Sequence, residues 1–199
     1  MSLNPSVLMI VPAAGRSTRQ PPNKLLHQLA GMTVIESTIA VLKRHFDNIV
    51  TVVGYDHERV KESITKRFYR DITIIENPDY TSGVATSINC VLQNISLQPF
   101  KYIGFCNGDY PFIKSGTIKY LLQELWEHEP LILAPTYEGI IGHPNFFSIN
   151  LKNEFLETEG DVGGRDIIKS HIEESMLIPV EDRGVNYDMD QYLDEIRNE

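Results

Sequence analysis

The sequence predicts an α/β fold built on a mainly parallel sheet covered by helices. Two features lead to this: short β-rich runs alternate with segments of helical period, and the unusual polar residues fall just after the apolar runs. Residues 7–11 (VLMIV) form a compact apolar run that reads as a buried first strand ended by Pro12. Ile35, Ile39, Leu42 and Phe46 then recur at helical spacing. Residues 49–53 read as a second strand, followed by Val60, Ile64 and Phe68 on another helix. Residues 72–75 supply a third strand and 102–106 a fourth. Ile118, Leu121, Leu122 and Leu125 form the next helical face, before a fifth strand at 131–134. The last third is less regular, with a short strand around Phe146 and Phe147, a helix after Gly164, a strand at 176–180 and a final helix from about Gln191.

The bulk properties narrow the function. With 199 residues and no repeat, low-complexity tract or linker, residues 1–199 read as a single domain. The apolar share of 42% and charged share of 23% are ordinary for a soluble globular protein. No apolar run approaches the roughly 18 residues of a membrane span, and residues 1–6 lack the features of a signal peptide, so a cytoplasmic location is expected. Cys90 and Cys106 give neither metal spacing nor a disulfide framework and read as buried free thiols. A formal charge of −9 argues against nucleic acid as a partner, because that needs clustered Lys and Arg, but it permits a small anionic substrate held by local positive charge.

In open parallel sheets ligands bind beyond the carboxyl ends of the strands, so the segments that follow strands matter most. After the first comes Ala13-Ala14-Gly15-Arg16-Ser17-Thr18-Arg19-Gln20-Pro21-Pro22-Asn23-Lys24. Its small residues allow close backbone approach to a phosphate, and Arg19 and Lys24 add charge for a triphosphate. The loop lacks the Gly-Lys-Ser/Thr of a P-loop and the spaced glycines of a dinucleotide fingerprint, and a solvated basic loop would have the same composition. Asn107-Gly108-Asp109-Tyr110-Pro111 follows the fourth strand and aims a carboxylate at the crevice, where it suits Mg²⁺ or caps its own turn. Asp188-Met189-Asp190 places two carboxylates on one face if extended, or supplies a helix N-cap ahead of Gln191. Gly142-His143-Pro144 and the glycine-rich stretch from Gly160 and Asp161 through Gly163, Gly164 and Arg165 are weaker signals taken singly.

Together and in this order, these motifs resemble the MobA-like nucleotidyltransferase family, most closely its molybdenum cofactor cytidylyltransferase branch. The resemblance covers residues 9–196 and includes Asn77-Pro78 and the stretch from Gly83 through Thr86 and Ser87. It implies a Rossmann-like three-layer α/β/α nucleotidyltransferase fold that binds an NTP with Mg²⁺ over the first loop. The phosphate of molybdopterin would attack the α-phosphorus and pyrophosphate would leave. On this resemblance Arg19, Lys24 and Asp109 are catalytic. Ala13, Ala14, Gly15, Arg16, Ser17, Gly83, Thr86, Ser87 and Gly108 join Arg19 and Lys24 in nucleotide binding. His143, Pro144, Asp161, Gly163 and Arg165 face the acceptor, and the metal falls to Asp109 with Asp188 or Asp190. Ala14, where the guanylyl branch carries glycine, favours CTP. The expected partners are therefore CTP or another NTP, molybdopterin or a related phosphorylated acceptor, and a molybdoenzyme or its chaperone.

Three departures qualify the resemblance. Pro12 replaces a common leucine, and Val-Pro-Ala-Ala-Gly is also similar to the methylerythritol-phosphate cytidylyltransferases. Gln20-Pro21 stands for the usual Met-Gly, which removes an amide from the loop. Gln191-Tyr192 replaces the Thr-Pro that ordinarily follows the last carboxylate. Two rival functions are the same chemistry on a sugar phosphate or polyol phosphate, and a non-catalytic module that binds nucleotide or delivers cofactor. Plain binding would not require Lys24, Asp109 and paired C-terminal carboxylates, which weighs against the second.

Overall fold

The computed structural model describes residues 7–16 and 23–198. A mixed, mostly parallel sheet of eight strands forms its centre. The first strand, β1 (Val7–Ala13), is flanked by β4 (Ile49–Val53) and β6 (Tyr102–Phe105), both parallel to it. Beyond β4 lies β5 (Thr73–Glu76), also parallel. On the other side, β9 (Asn145–Ser148) runs antiparallel between β6 and β7 (Ile132–Tyr137), and β10 (Ser175–Pro179) closes the edge parallel to β7. The two-residue β8 (Ile140–Ile141) hairpins onto β7, and β2 (Gln28–Leu29) pairs with β3 (Met32–Thr33) apart from the main sheet.

Alternation along β1 builds the layers. Val7, Met9 and Val11 point into a core with α1 (Val34–Leu42), α2 (His57–Phe68), α4 (Ser115–His128) and α7 (Met189–Asn198). Leu8 and Ile10 point the other way, towards α3 (Val84–Asn94), α5 (Lys152–Leu156) and α6 (Gly164–Ser170). A strand buried on both faces is apolar throughout, which is why residues 7–11 carry no polar residue. The result is the expected three-layer, Rossmann-like α/β/α arrangement.

Several expectations are corrected. Pro12 does not end β1, which continues to Ala13; Pro12 pairs with Val52, and its carbonyl accepts from Gly108 N–H at 2.9 Å. The missing N–H costs one bond in the run between β1 and the chain leaving β6, where Cys106 N–H still donates to Ile10 C=O at 3.1 Å. Helix α3 was not anticipated, since Thr86, Ser87, Asn89 and Cys90 break up its apolar run, yet Ala85, Ile88, Val91 and Leu92 form a buried face. The final helix starts at Met189 rather than Gln191, so Asp188 and Asp190 do not lie on a strand. Cys106 is buried, but Cys90 is only half-buried; burial raises the pKa of both thiols, helped by Asp109 and Asp79 respectively. Among the described residues no helix is long and apolar enough to cross a membrane.

The C-terminal segment is tied back by a buried aspartate. Asp182, 2% exposed, accepts from Lys114 N–H at 2.9 Å, Thr117 Oγ1 at 2.7 Å and Gly184 N–H at 3.0 Å. It thus caps α4, which has no cap from its own first residues. Asp182→Ala should lower stability by about 1–3 kcal/mol, the cost of leaving buried donors unpaired. Chemical denaturation checks this, and an unchanged midpoint would show the cap to be dispensable.

Candidate active site

After β1 the chain goes to β4 and β5 on one side and then returns to β6 on the other, so the connections reverse direction between β1 and β6. Loops leaving these strands must diverge, which opens a crevice at their carboxyl ends. Two clefts lie there. The first, about 380 Å³, is bordered by residues 12–16, Lys24, Tyr80, Gly83, Ser87, Asn107 and Asp109. The second, about 390 Å³, is bordered by Tyr110, His143, Asn145, Gly163, Arg165 and others. They share Pro12, Val84, Asn107 and Asp161 as a common wall.

At the rim of the first cleft Lys24 Nζ lies 2.7 Å from Asp109 Oδ2 and 2.7 Å from Asp190 Oδ2. These side chains are 15–20% exposed. Burial works against the charge on Lys24, but the two carboxylates outweigh it and raise its pKa above the ordinary lysine value. The three arrive from distant parts of the chain: Lys24 opens a 3₁₀ turn (Lys24–Leu26), Asp109 follows β6 and Asp190 sits in the first turn of α7. A backbone bond, Met189 N–H to Asp109 C=O at 3.0 Å, and the burial of Met189 and Leu193 hold the last in place.

Asp188 does not pair with Lys24. Its Oδ1 accepts from Gln191 N–H at 2.9 Å while Gln191 Oε1 accepts from Asp188 N–H at 2.9 Å, a reciprocal cap on α7. Burial raises its pKa, and the charge of Asp109 adds to that. Between the two carboxylates, Asp190 is therefore the one that shares the Lys24 ammonium with Asp109.

The remaining motif residues separate into cleft lining and scaffold. Ala13, Ala14, Gly15 and Arg16 border the first cleft, with the Arg16 guanidinium 5.8 Å from the Tyr80 ring centroid. Ser17 and Arg19 lie outside the described residues. Gly83, at φ +107°, begins α3, and Ser87 lines the same cleft. Thr86 lies behind it, donating to Gly83 C=O at 2.8 Å and accepting from Asn77 Nδ2 at 2.9 Å. Gly108 is also scaffold, since a Cβ there would lie 2.6 Å from Ile35 Cδ1. In the second cleft His143 Nδ1 sits 3.3 Å from the Phe105 carbonyl. A carbonyl only accepts, so Nδ1 carries the proton and Nε2 is left as an acceptor. Burial pushes the His143 pKa down to about 4, the Arg165 charge adds to that, and the Phe105 bond opposes it. The ring is neutral at pH 7. Its edge meets Tyr110, centroids 4.6 Å apart, and burial raises the Tyr110 phenol pKa, as do Asp109 and Asp188. Gly163 and Arg165 line this cleft and Asp161 lines both, whereas Pro144 is buried beneath.

The match to known proteins agrees with this geometry. Residues 9–175 match the model of the MobA-like NTP transferase domain. The chain belongs to the MobA-like NTP transferase family. Among curated relatives, this MobA-like chain is 28% identical over 136 residues to the molybdenum cofactor cytidylyltransferase of Escherichia coli, covering 68% of the chain and 66% of that protein. It is 29% identical over 116 residues to the bifunctional protein GlmU of Shouchella clausii, covering 57% of the chain and 24% of GlmU. The matched region thus spans just under two thirds of the first relative and about a quarter of the second. Among solved structures, Rv0371c of Mycobacterium tuberculosis H37Rv superposes with a TM-score of 0.78 at 23% identity over 96% of both chains. A complex of the same mycobacterial protein with manganese superposes at 0.69, with 22% identity over 88% of both chains.

The MobA-like chain carries a donor set that suits a nucleotide-borne divalent cation. Such an ion takes one or two carboxylates, with phosphate oxygens and water supplying the rest. Asp109 and Asp190 already converge on one cationic point, the Lys24 ammonium. Among the described residues no group of three or more His, Cys, Asp or Glu side chains is gathered for a metal, so an all-protein cage is not built here.

Asn107, Tyr80, Tyr110 and Asn145 line the clefts without having been singled out from the sequence. Asn107 and Tyr110 stand in the Asp109 motif itself and could have been found there; Tyr80 and Asn145 carried no local signal.

The two glycines of the first cleft should differ in tolerance. A Cβ at Gly83 would lie 2.1 Å from the Gly160 carbonyl carbon at a positive φ, whereas one at Gly15 meets nothing within 4 Å. Gly83→Ala should destabilise by roughly 1–3 kcal/mol from backbone strain alone, and Gly15→Ala should leave stability near the parent value. Thermal unfolding of both variants checks this, and equal midpoints would contradict it.

Proposed function

We propose that this chain is a Mg²⁺-dependent nucleotidyltransferase that moves CMP from CTP to the phosphate of molybdopterin and releases pyrophosphate. The observation that carries the reading is the pair of adjoining clefts, with Lys24, Asp109 and Asp190 gathered at the rim of the first. One cleft suits a nucleotide and the other its acceptor, and their common wall is where a reacting phosphorus would lie. The relative named molybdenum cofactor cytidylyltransferase supports this acceptor and this nucleotide.

The residues divide the work by charge. Lys24 and Arg16, with Arg19 from the same loop, would neutralise the triphosphate, and Arg165 the acceptor phosphate. Neutral His143 would accept a hydrogen bond from an O–H or N–H of the acceptor through Nε2. Asp161 and Gly163 would border the acceptor, and Ala13, Ala14, Gly15, Gly83 and Ser87 the nucleotide. A divalent cation on Asp109 and Asp190 would offset the charge on the phosphates. An acceptor phosphate oxygen forms its bond to the α-phosphorus as the bond to the departing pyrophosphate breaks. The attacking oxygen is already anionic, so no general base is required and catalysis rests on positioning and charge. The product would pass in the cytoplasm to a molybdoenzyme or its chaperone.

Pyrophosphate release with Mg²⁺, molybdopterin and each of the four ribonucleoside triphosphates tests this. Release with CTP that depends on molybdopterin is expected; release only with GTP would overturn the nucleotide assignment, and release only with a sugar phosphate would overturn the acceptor. Asp109→Ala should abolish turnover and leave the fold intact, because the carbonyl of Asp109 and not its side chain holds α7. Near-parental turnover of the folded variant would remove Asp109 from the mechanism. Ala14→Gly should shift the CTP-to-GTP ratio of kcat/KM towards GTP by about 10-fold or somewhat more, the discrimination typical of one methyl group. An unchanged ratio would remove Ala14 as a selector.

A further inference from the structure

We propose that Lys24 is a resident counter-ion that fills the divalent-cation position until a triphosphate draws it away, so that metal and nucleotide enter together. The inference rests on the nucleotidyltransferase reading and adds an order of events to it. Lys24 Nζ lies 2.7 Å from both Asp109 Oδ2 and Asp190 Oδ2, and the cluster is largely shielded from water. A magnesium ion on the same two oxygens would sit about 2.0–2.1 Å from each, within the space the ammonium fills. Two cations at that spacing in a partly dry site repel strongly, so the metal and the ammonium exclude each other.

Metal entry therefore requires Lys24 to leave both carboxylates. Without a nucleotide it would give up both carboxylates and the two short bonds with them. The first cleft offers an alternative. The Lys24 backbone is anchored at the start of its 3₁₀ turn, where Asn23 Oδ1 caps Leu25 N–H at 3.1 Å and His27 N–H returns to the Lys24 carbonyl at 3.1 Å. The four-carbon stem can still pivot, and Lys24 borders the first cleft, where the triphosphate would lie. Phosphate oxygens can take the ammonium as the carboxylates take the metal. Asp188 does not substitute as a third anchor, since it is engaged in capping α7.

The test uses Mn²⁺ as probe, titrated against the full chain and Lys24→Met with free Mn²⁺ read by electron paramagnetic resonance. Titrations are run with and without a non-hydrolysable CTP analogue. Lys24→Met should bind Mn²⁺ alone at least tenfold more tightly than the parent, and this gain should vanish when Asp109→Asn is added. Lys24→Gln, closer in size and polarity, gives the same comparison if Lys24→Met fails to fold. In the parent, the ¹⁵N resonance of the Lys24 ammonium should stay in place with Mg²⁺ alone and shift with Mg²⁺ and the analogue together. Equal Mn²⁺ affinities of parent and variants, with the analogue still binding, would overturn the counter-ion role and leave the nucleotidyltransferase reading standing. Failure of the analogue to bind the parent at all would overturn both.

Discussion

The backbone bond from Met189 N–H to the Asp109 carbonyl joins the C-terminal helix to the end of a central strand. With the burial of Met189 and Leu193 it brings the first turn of α7 to Asp109, so that Lys24 meets two carboxylates rather than one. Because the bond uses main-chain atoms, it places a side chain on each partner without consuming either. Asp188 closes the arrangement by capping the same helix, which holds its first turn in register over β6. The charged cluster is thus assembled by helix-terminus chemistry more than by attraction between its charges. That suits a site whose ions must exchange.

A second constraint comes from the parting of β1 and β6. The crevice exists because the chain reverses direction there, and Pro12 gives up a donor while its carbonyl still holds Gly108. Gly83 then allows a close approach to the Gly160 backbone at a positive φ, and Gly108 lies tight against the end of the Ile35 side chain. The walls of both clefts are also held by polar side chains that line them, Asn145 on the Gly142 carbonyl and Ser87 on Asn77.

Much of this was legible along the chain. Strands buried on both faces must be apolar throughout, so β1, β4 and β6 stood out, and a period of 3.6 marked α1, α2 and α4. Helix α3 was hidden because its amino end carries Thr86 and Ser87, whose hydroxyls bond to Asn77 instead of reaching solvent. Asp182 gave no sign of its role on α4, since Lys114 and Thr117 lie far back in the sequence. Lys24, Asp109 and Asp190 could each be picked out as chemistry-bearing, but nothing local said that they would meet.

The sequence by itself determined the alternation of strand and helix, the family pattern and the residue types available for chemistry, because these follow from local periodicity and motif order. Only the tertiary structure decided that Asp190 and not Asp188 shares Lys24 with Asp109, that Thr86 and Gly108 serve the scaffold, and that His143 is neutral. The reason is physical. Pairing, burial and proton position depend on neighbours brought together by the crossing of distant segments, and no span of adjacent residues contains that information.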